Sequence, residues 1–245
     1  MKAVILAAGY GSRLGIFTKN IPKALLSIGN KPIIAYTLKI LKDHGIHDIV
    51  VVTGYKGHKL RKYLTRNFDL DFSFIHNKHY KRTNNIYSLY LAMEKIDSSF
   101  YIINSDVLSH PKIFEYLHNS NKKELVLSVD TVKKLGEEEM KVRIENDRII
   151  EISKEIPPNK ADGEYIGFAK VPKRNVNDLH EHLEIVIEEK GKTVFYEEAF
   201  QSMIDAGIKL TYESTRGLPW IEIDTPYDLM LARKEVFKRI KHTTS

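Results

Sequence analysis

The feature that most constrains the fold is a pair of continuous apolar runs, residues 3–8 and 49–55, each with a glycine at its carboxyl end. Short apolar runs that do not alternate with polar residues are typical of strands buried on both faces, as in a parallel sheet. Residues 32–45 lie between them and have apolar residues at helical spacing, proline at the start and glycine at the end. Because this pattern predicts a helix, the three segments together predict a strand–helix–strand unit.

The same alternation continues along the chain. Residues 71–77 and 100–106 are predicted strands, and residues 84–96 between them are a predicted helix. Repeated alternation of this kind predicts a doubly wound, mostly parallel, Rossmann-like α/β sheet with ligands outside the carboxyl ends of its strands. We therefore expect a ligand-binding half over residues 1–123.

From residue 124 the pattern changes to shorter strands. They are predicted in three segments: residues 124–132, 140–154 and 163–171. A hairpin turn is expected at residues 145–147, and a last helix from about Pro226. We expect a small β-rich insertion within residues 124–225 and a C-terminal helix over 226–245. With no linker or repeat between these parts, the whole chain is predicted to be a single domain.

Charge is distributed unevenly along the sequence. Residues 1–90 contain fifteen Lys or Arg and four Asp or Glu, whereas residues 91–245 contain twenty-three and twenty-eight. A basic N-terminal part predicts an anionic ligand, either a nucleotide or a nucleic acid, although a solvated lysine-rich surface is the alternative. No RNA-binding motif accompanies it, so we expect no nucleic-acid partner.

The sequence contains no cysteine, which excludes a disulfide framework and a thiolate metal site. This composition is compatible with a reducing cytosol, and we expect a cytoplasmic protein. The first apolar run is shorter than the roughly 7–15 residues of a signal-peptide core. Since no later stretch resembles the roughly 20 apolar residues of a membrane helix, we also expect no membrane partner.

The first apolar run leads into a basic loop with glycines at positions 9, 11 and 15. The spacing fits neither the dinucleotide pattern G-x-G-x-x-G nor the P-loop pattern. Small residues nevertheless allow backbone N–H groups to approach phosphate oxygens, and a following helix start favours an anion. Arg13 adds a planar donor fork and Lys23 a compact positive charge. The loop is therefore predicted to bind phosphate, although a structural turn is the alternative.

In combination these segments resemble the sugar-phosphate nucleotidyltransferase family. The motifs that carry the resemblance are LAAGYGSRL, PKALLSIGNKPII, GIHDIVVVTGY, INSD and WIEIDTPYDLMLA, spread over nearly the whole chain. The resemblance implies the nucleotide-diphospho-sugar transferase fold, in which a strand, a loop and a helix wrap a nucleoside triphosphate. It also implies an enzyme that uses Mg²⁺ and transfers a nucleotidyl group to a small phosphorylated acceptor, and it is compatible with a homo-oligomer.

The resemblance also implies roles for individual residues at the reacting end of the site. Arg13 and Lys23 match the catalytic cations, and Asp106 and Asp224 match the metal-binding aspartates. For Asp224 the alternative is that it caps the last helix. The residues expected to bind the nucleotide are Leu6, Ala7, Ala8, Gly9, Gly11, Ser12, Asn84, Asn85 and Ser88.

Four further residues are expected to bind the acceptor: Lys154, Glu164, Tyr165 and Trp220. Lys154 matches a family lysine that contacts the acceptor's phosphate, and could otherwise simply flank a hairpin strand. A choline head group would need an aromatic cage, for which Tyr87, Tyr165 and Trp220 are available.

The choice of base is predicted from a departure in the base-binding segment. Family members that act on sugar phosphates usually have P-x-G-L there, whereas this chain has TNNIYSLYLA, with Ser88 at the place of the glycine. This segment resembles phosphocholine cytidylyltransferases, and residues 138–171 resemble inositol-1-phosphate cytidylyltransferases. We therefore predict that CTP is the substrate. The alternatives are a sugar-1-phosphate uridylyl- or thymidylyltransferase and a non-catalytic, nucleotide-sensing regulatory subunit.

Two other departures from the family pattern affect the site. The chain has RLGIFT where the family commonly has R-L-x-P-L-T. It also has the apolar Val107 after Asp106, where many members have a polar residue.

Overall fold

The computed structural model describes residues 1–243, which form an α/β fold. Its strands are β1 (Lys2–Ala7), β2 (Ser27–Ile28), β3 (Lys31–Pro32), β4 (Asp48–Thr53), β5 (Asp71–His76), β6 (Phe100–Asn104), β7 (Val107–Ser109), β8 (Leu125–Asp130), β9 (Lys141–Glu145), β10 (Arg148–Ser153), β11 (Gly163–Val171), β12 (Leu210–Ser214) and β13 (Trp220–Glu222). Its α-helices are α1 (Ile33–Asp43), α2 (Gly57–Asn67), α3 (Asn85–Met93), α4 (Pro111–Asn119), α5 (Val176–Lys190), α6 (Glu197–Asp205), α7 (Pro226–Leu231) and α8 (Phe237–Thr243).

Nine strands form one mixed sheet in the order β5-β4-β1-β6-β11-β8-β12-β10-β9. The first four are parallel, as the strand–helix–strand pattern predicts. β11 is antiparallel to both β6 and β8, and it also pairs with β9. Five strands (β11, β8, β12, β10 and β9) therefore close on one another and form the β-rich half.

Both faces of the parallel part are covered by helices. Alternate residues of β1 belong to two different cores, with Val4 on one side and Ile5 on the other. One core includes residues of α3, α5 and α6, and the other includes residues of α1, α2 and α4. This two-sided burial explains why the strands are continuously apolar, and it confirms the doubly wound arrangement.

Two short features join distant parts of the chain. Asn146 and Asp147 both have positive φ, at 50° and 60°, in the predicted hairpin turn between β9 and β10. β7 pairs with β13 so that Val107 lies opposite Glu222. Val107 is 2% exposed, so the apolar residue after Asp106 contributes to this ladder and to the core.

The segment after β1 differs from the predicted strand–loop–helix. It forms a 3-10 segment at Ser12–Phe17, and the next α-helix in the chain is α1, which begins at Ile33. Gly15 interrupts the segment with φ 55° and ψ −118°, which is not a helical conformation. An α-helix therefore does not follow the loop directly, and an interrupted 3-10 helix occupies that place.

The last helix begins where the sequence predicts, at Pro226, and is divided by a π-helical turn at Ala232–Val236. Thr225 is its N-cap, in a reciprocal capping box with Asp228. Asp224 is thus not the helix cap. Among residues 1–243, no helix has both the length and the apolar character needed to cross a membrane.

Candidate active site

A cavity of about 640 Å³ lies at the carboxyl ends of the parallel strands, between the two halves of the fold. Fifteen of the seventeen predicted site residues line it. The other two, Gly11 and Ser12, belong to the adjoining turn and are not among the lining residues. The cavity therefore brings the three predicted groups of residues together, and their individual roles remain predictions.

The centre of the cavity holds three carboxylates. Asp106, Glu222 and Asp224 each offer an oxygen, and these oxygens lie within 4.8 Å of one another. The β7–β13 ladder brings them together, reinforced by a hydrogen bond from the Ile223 N–H to the Asp106 carbonyl at 3.1 Å. The sequence analysis missed Glu222. Its two-residue spacing from Asp224 in a strand-like run was the available signal, because alternate strand residues share a face.

Two cations lie against these carboxylates. Lys23 Nζ donates to Asp106 Oδ2 at 2.7 Å and also to Asp224 Oδ1. Arg13 Nη2 donates to Asp224 Oδ2 at 2.6 Å. Gly11, with φ 65°, allows the turn to pack on the lysine stem, because a Cβ there would lie 3.4 Å from Lys23 Cβ. The loop after β1 therefore positions positive charge at the aspartates.

The charges of this cluster perturb one another. Burial alone lowers the pKa of Lys23, but Asp106, Asp224 and Glu222 outweigh burial and raise it above its ordinary value. Burial raises the pKa of Glu222 to about 8, with a further contribution from the two aspartates. Burial opposes the shift at Asp224, but Lys23 and Arg13 lower its pKa. Burial and the neighbouring aspartates thus disfavour ionisation of Glu222, whereas the two cations favour ionisation of Asp224.

The donor set of the cluster fits a hard divalent cation. Carboxylate oxygens are the ligands that Mg²⁺ prefers in proteins. Asp106 Oδ1 is buried and has no hydrogen-bond partner among the described residues, which is costly for a carboxylate oxygen without a ligand. Asp106, Asp224 and Glu222 are thus the residues that can hold Mg²⁺.

The predicted base-binding residues have structural contacts of their own. Asn84 caps α3, accepting a hydrogen bond from the Asn85 N–H at 2.8 Å. Asn85 Oδ1 accepts one from the Tyr196 N–H at 2.9 Å. Buried Ser88 accepts one from Asn77 Nδ2 at 3.1 Å, and its own proton has no acceptor within residues 1–243. Ser88 therefore retains a donor.

The aromatic cage considered for a choline head group is not formed. Tyr165 is 4% exposed and its hydroxyl pairs with that of Tyr196 at 2.9 Å. The ring of Tyr87 stacks on Tyr90, and Lys192 lies over it at 4.5 Å. Tyr87 is not a lining residue of the cavity, because its helix turns this ring toward other side chains.

The remaining predicted acceptor residues, Trp220, Glu164 and Lys154, also line the cavity, and we call the part that they line with Lys133 and Glu197 its acceptor end. Trp220 Nε1 donates to Asp130 Oδ2 at 2.6 Å. Glu164 Oε2 forms an ion pair with Lys133 Nζ at 2.9 Å. Burial raises the pKa of Glu164, against the opposing effect of Lys133. Lys154 Nζ lies 4.9 Å from the centre of the Phe195 ring.

Glu197 is a second acidic residue that the sequence analysis missed. It lines the cavity at the start of α6, is 5% exposed, and its Oε2 has no hydrogen-bond partner within residues 1–243. Burial raises its pKa to about 7, although Lys154 lowers it in part. In the sequence, Glu197 looks like a solvated residue in the first turn of a helix, so no local signal reveals its burial.

A family model described as nucleotidyl transferase matches residues 2–167. The chain belongs to the nucleotidyl transferase family. This membership confirms the resemblance and the enzyme class that the motifs predict.

Relatives of this nucleotidyltransferase include proteins named as cytidylyltransferases. The choline-phosphate cytidylyltransferase of Streptococcus pneumoniae is 43% identical over 106 residues, which cover 43% of this chain and 44% of that protein. The bifunctional IPC transferase and DIPP synthase of Aquifex aeolicus is 30% identical over 241 residues, covering 96% of this chain and 52% of that protein. The chain thus spans about half the length of these two relatives or less.

A third relative matches over nearly its full length. The CTP:phosphoglutamine cytidylyltransferase of Campylobacter jejuni is 29% identical over 255 residues, which cover 94% of this chain and 98% of that protein. The solved inositol-1-phosphate CTP transferase of T. maritima superposes with a TM-score of 0.82 at 20% identity, covering 98% of this chain and 94% of that one. The structural match confirms the predicted nucleotide-diphospho-sugar transferase fold.

Proposed function

We propose that this nucleotidyltransferase transfers CMP from CTP to a small phosphorylated or phosphonate acceptor and releases pyrophosphate. The observation that carries the proposal is the cluster in which Lys23 joins Asp106 to Asp224 at the centre of the cavity. The relatives named as cytidylyltransferases support CTP as the donor. Mg²⁺, when bound, would neutralise charge on the triphosphate.

The proposed reaction is a single in-line displacement. An oxygen of the acceptor's phosphate or phosphonate attacks the α-phosphorus of CTP, the bond from that phosphorus to the bridging oxygen breaks, and pyrophosphate leaves with the electron pair. The attacking oxygen is already ionised near neutral pH, so no general base is required. Positioning and charge neutralisation are then the main contributions of the protein.

Several predicted residues have a role that their place in the cavity supports. Arg13 and Lys23 offer positive charge to the triphosphate and the departing pyrophosphate, since both already lie against carboxylates at the reacting centre. Lys154, which interacts electrostatically with both Glu197 and Asp224, would orient the acceptor's phosphate. The backbone of residues 6–9, at the end of β1, would approach the triphosphate.

The base would be recognised by groups at the start of α3. CTP and UTP differ at position 4 of the base, where an amino donor replaces a carbonyl acceptor. A buried mismatch costs about 1–3 kcal/mol, or roughly 5- to 150-fold in kcat/KM. The unused donor of Ser88 would fit the ring nitrogen N3 of the base, which is an acceptor in cytosine and carries a hydrogen in uracil. The side-chain oxygens of Asn84 and Asn85 already accept hydrogen bonds within the fold. Ser88 is therefore the residue to test first.

The test is pyrophosphate release over a matrix of CTP, UTP, dTTP, ATP and GTP against phosphocholine, inositol phosphate and glucose 1-phosphate. We expect CTP to give the highest kcat/KM with whichever acceptor is active, and Ser88→Ala to narrow the difference from UTP. A preference for UTP or dTTP with glucose 1-phosphate would instead establish a sugar-1-phosphate transferase. Nucleotide binding without turnover of any pair would indicate a regulatory subunit.

A further inference from the structure

The acceptor end of the cavity already contains a cation, the ammonium group of Lys133. Its Nζ lies 2.9 Å from Glu164 Oε2, 3.6 Å from Glu139 Oε1 and 5.2 Å from the centre of the Trp220 ring. Carboxylates and an indole face are groups that recognise organic cations. We call Glu139, Glu164 and Trp220 the head-group subsite. The chain therefore fills this subsite with one of its own side chains.

The subsite itself is held by the sheet. Glu164 on β11 is 5% exposed and pairs in register with Asp130 on β8. Asp130 Oδ2 accepts the Trp220 indole N–H at 2.6 Å, and Asp130 Oδ1 accepts the backbone N–H groups of residues 132 and 133 at 2.9 and 3.1 Å. The backbone of Glu164 and the indole of Trp220 are therefore fixed by contacts that do not involve the ammonium group of Lys133.

The ammonium group that fills the subsite is held much less firmly. The side chain of Lys133 is 45% exposed, and it belongs to residues 131–140, which form neither helix nor strand. The adjoining Val132 is 68% exposed. A flexible lysine stem at the surface can withdraw into water without leaving a buried cation behind.

Withdrawal of Lys133 would leave a concentration of negative charge. Asp130, Glu139 and Glu164 all lie near the vacated position. Independently, Glu197 lines the same cavity with a buried oxygen that has no hydrogen-bond partner among the described residues. A ligand that replaces Lys133 must therefore bring positive charge, because an uncharged group would leave these carboxylates uncompensated.

We propose that the head-group subsite binds an acceptor with a positively charged end, a protonated or quaternary amine joined by a short chain to its phosphate or phosphonate, and that this amine displaces Lys133. The phosphate end of this ligand rests on the proposed function, in which Lys154 orients it. Lys133 is then a competitor of the substrate, and the subsite selects amine-bearing acceptors over polyol and sugar phosphates.

The test measures binding by isothermal titration calorimetry, with and without CTP, in EDTA so that no turnover occurs. The probes are phosphocholine and its neutral isostere with a tert-butyl group, and phosphoethanolamine and its neutral isostere propyl phosphate. We expect at least one amine to bind about tenfold more tightly than its isostere. Lys133→Met should tighten the binding of that amine severalfold and the binding of its isostere by less. Lys134→Met, at the exposed neighbouring lysine, is the matched control and should change neither affinity.

Several outcomes would overturn the proposal. They are equal binding of each amine and its isostere, weaker amine binding in Lys133→Met, and binding of glucose 1-phosphate or inositol phosphate but of neither amine. Glu164→Gln, checked by circular dichroism for an intact fold, should remove most of the discrimination between amine and isostere. Failure of CTP to bind or to transfer CMP would overturn the proposed function instead, while the affinities measured without CTP would still decide the head-group subsite.

Discussion

Two lysines in the cavity make similar ion pairs in different surroundings. Lys23 lies between Asp106 and Asp224 with its side chain 12% exposed, whereas Lys133 pairs with Glu164 with its side chain 45% exposed. Lys23 is carried by a short helical turn at Lys23–Leu25, whereas Lys133 belongs to an irregular segment. The comparison separates a cation built into the framework of the site from one that a ligand can replace.

The physical difference between the two lysines is the cost of losing the cation. Removing one partner of a buried ion pair leaves a charge that neither water nor protein compensates. In the second pair only the lysine is half-exposed, so water solvates the ammonium group when it leaves, while Glu164 stays buried beside Glu139. Substitution of Lys23 should therefore affect both stability and turnover, whereas substitution of Lys133 should act mainly on acceptor affinity.

The largest effect is expected from the aspartates that Lys23 joins. Asp106→Asn and Asp224→Asn should each lower kcat by about 10²- to 10³-fold or more, because each removes an anionic oxygen from the hard-ligand set. Pyrophosphate release at saturating MgCl₂ measures this. Asp43→Asn, at an exposed aspartate that pairs with Lys39 on α1, is the control. Near-normal turnover in both variants would show that the metal assignment is wrong.

The next largest effect compares the two lysines directly. Lys23→Met should lower the free energy of unfolding by about 3 kcal/mol in EDTA, since three carboxylates lose their shared cation. Added Mg²⁺ should restore part of that loss by binding the same oxygens. Lys133→Met should lower the unfolding free energy by less than Lys23→Met does, because it leaves Glu164 facing one neighbouring carboxylate, Glu139, rather than the clustered carboxylates around Lys23. Urea unfolding with and without MgCl₂ measures the two changes in unfolding free energy and the effect of Mg²⁺. Equal losses of unfolding free energy in the two variants would show that the two lysines do not differ in this way.

The sequence predicted the reacting end well because its parts are local. β1, β4 and β6 are continuous apolar runs, and the loop glycines and Asp106 follow their strands directly. Of the two interpretations of Asp224, the structure excludes the helix cap, because Thr225 caps α7 itself. The metal role of Asp224 stays a prediction. These local patterns, together with the family resemblance, were enough to predict fifteen residues that line one cavity.

The acceptor end was harder to predict because it depends on contacts between distant segments. Lys133 and Glu139 lie in a stretch without periodicity, and the register of β8 with β11 brings them to Glu164. Glu197 is buried partly because the chain before α6 packs on the start of α3 through Asn85. No local pattern encodes these contacts, so the sequence alone predicts that such charged residues lie on the solvated surface.

The pH dependence of stability in a Glu197 variant tests whether the negative charge of the acceptor end exceeds its positive charge. The folded state raises its pKa from 4.5 to about 7, so the folded protein holds a proton that the unfolded chain releases. The resulting stability is fully present below pH 4.5 and is lost as pH rises through about 7, by at most about 3 kcal/mol. Glu197→Gln should therefore be more stable relative to wild type at pH 8 than at pH 5.

Urea unfolding at these two pH values measures the effect of Glu197→Gln. Glu198→Gln, at the next residue of α6 where the carboxylate pairs with Lys190, is the matched control and should show a smaller difference between the two pH values. If the difference in unfolding free energy between Glu197→Gln and wild type is the same at both pH values, the Lys154 side chain already compensates the Glu197 carboxylate. The acceptor end would then carry less uncompensated negative charge than the contrast between Lys23 and Lys133 implies.

The smallest effect is expected for Arg13. It contacts Asp224, as Lys23 does, but the exposed fraction of its side chain is closer to that of Lys133. Its side chain is 58% exposed, yet it donates to Asp224. If place in the cavity decides the role, Arg13→Lys should lower kcat/KM for CTP about tenfold by losing the planar fork, with little change in acceptor KM. If exposure decides it, CTP kinetics should stay unchanged. Steady-state kinetics with each substrate varied in turn separates these results, and a change confined to acceptor KM would move Arg13 to the acceptor end.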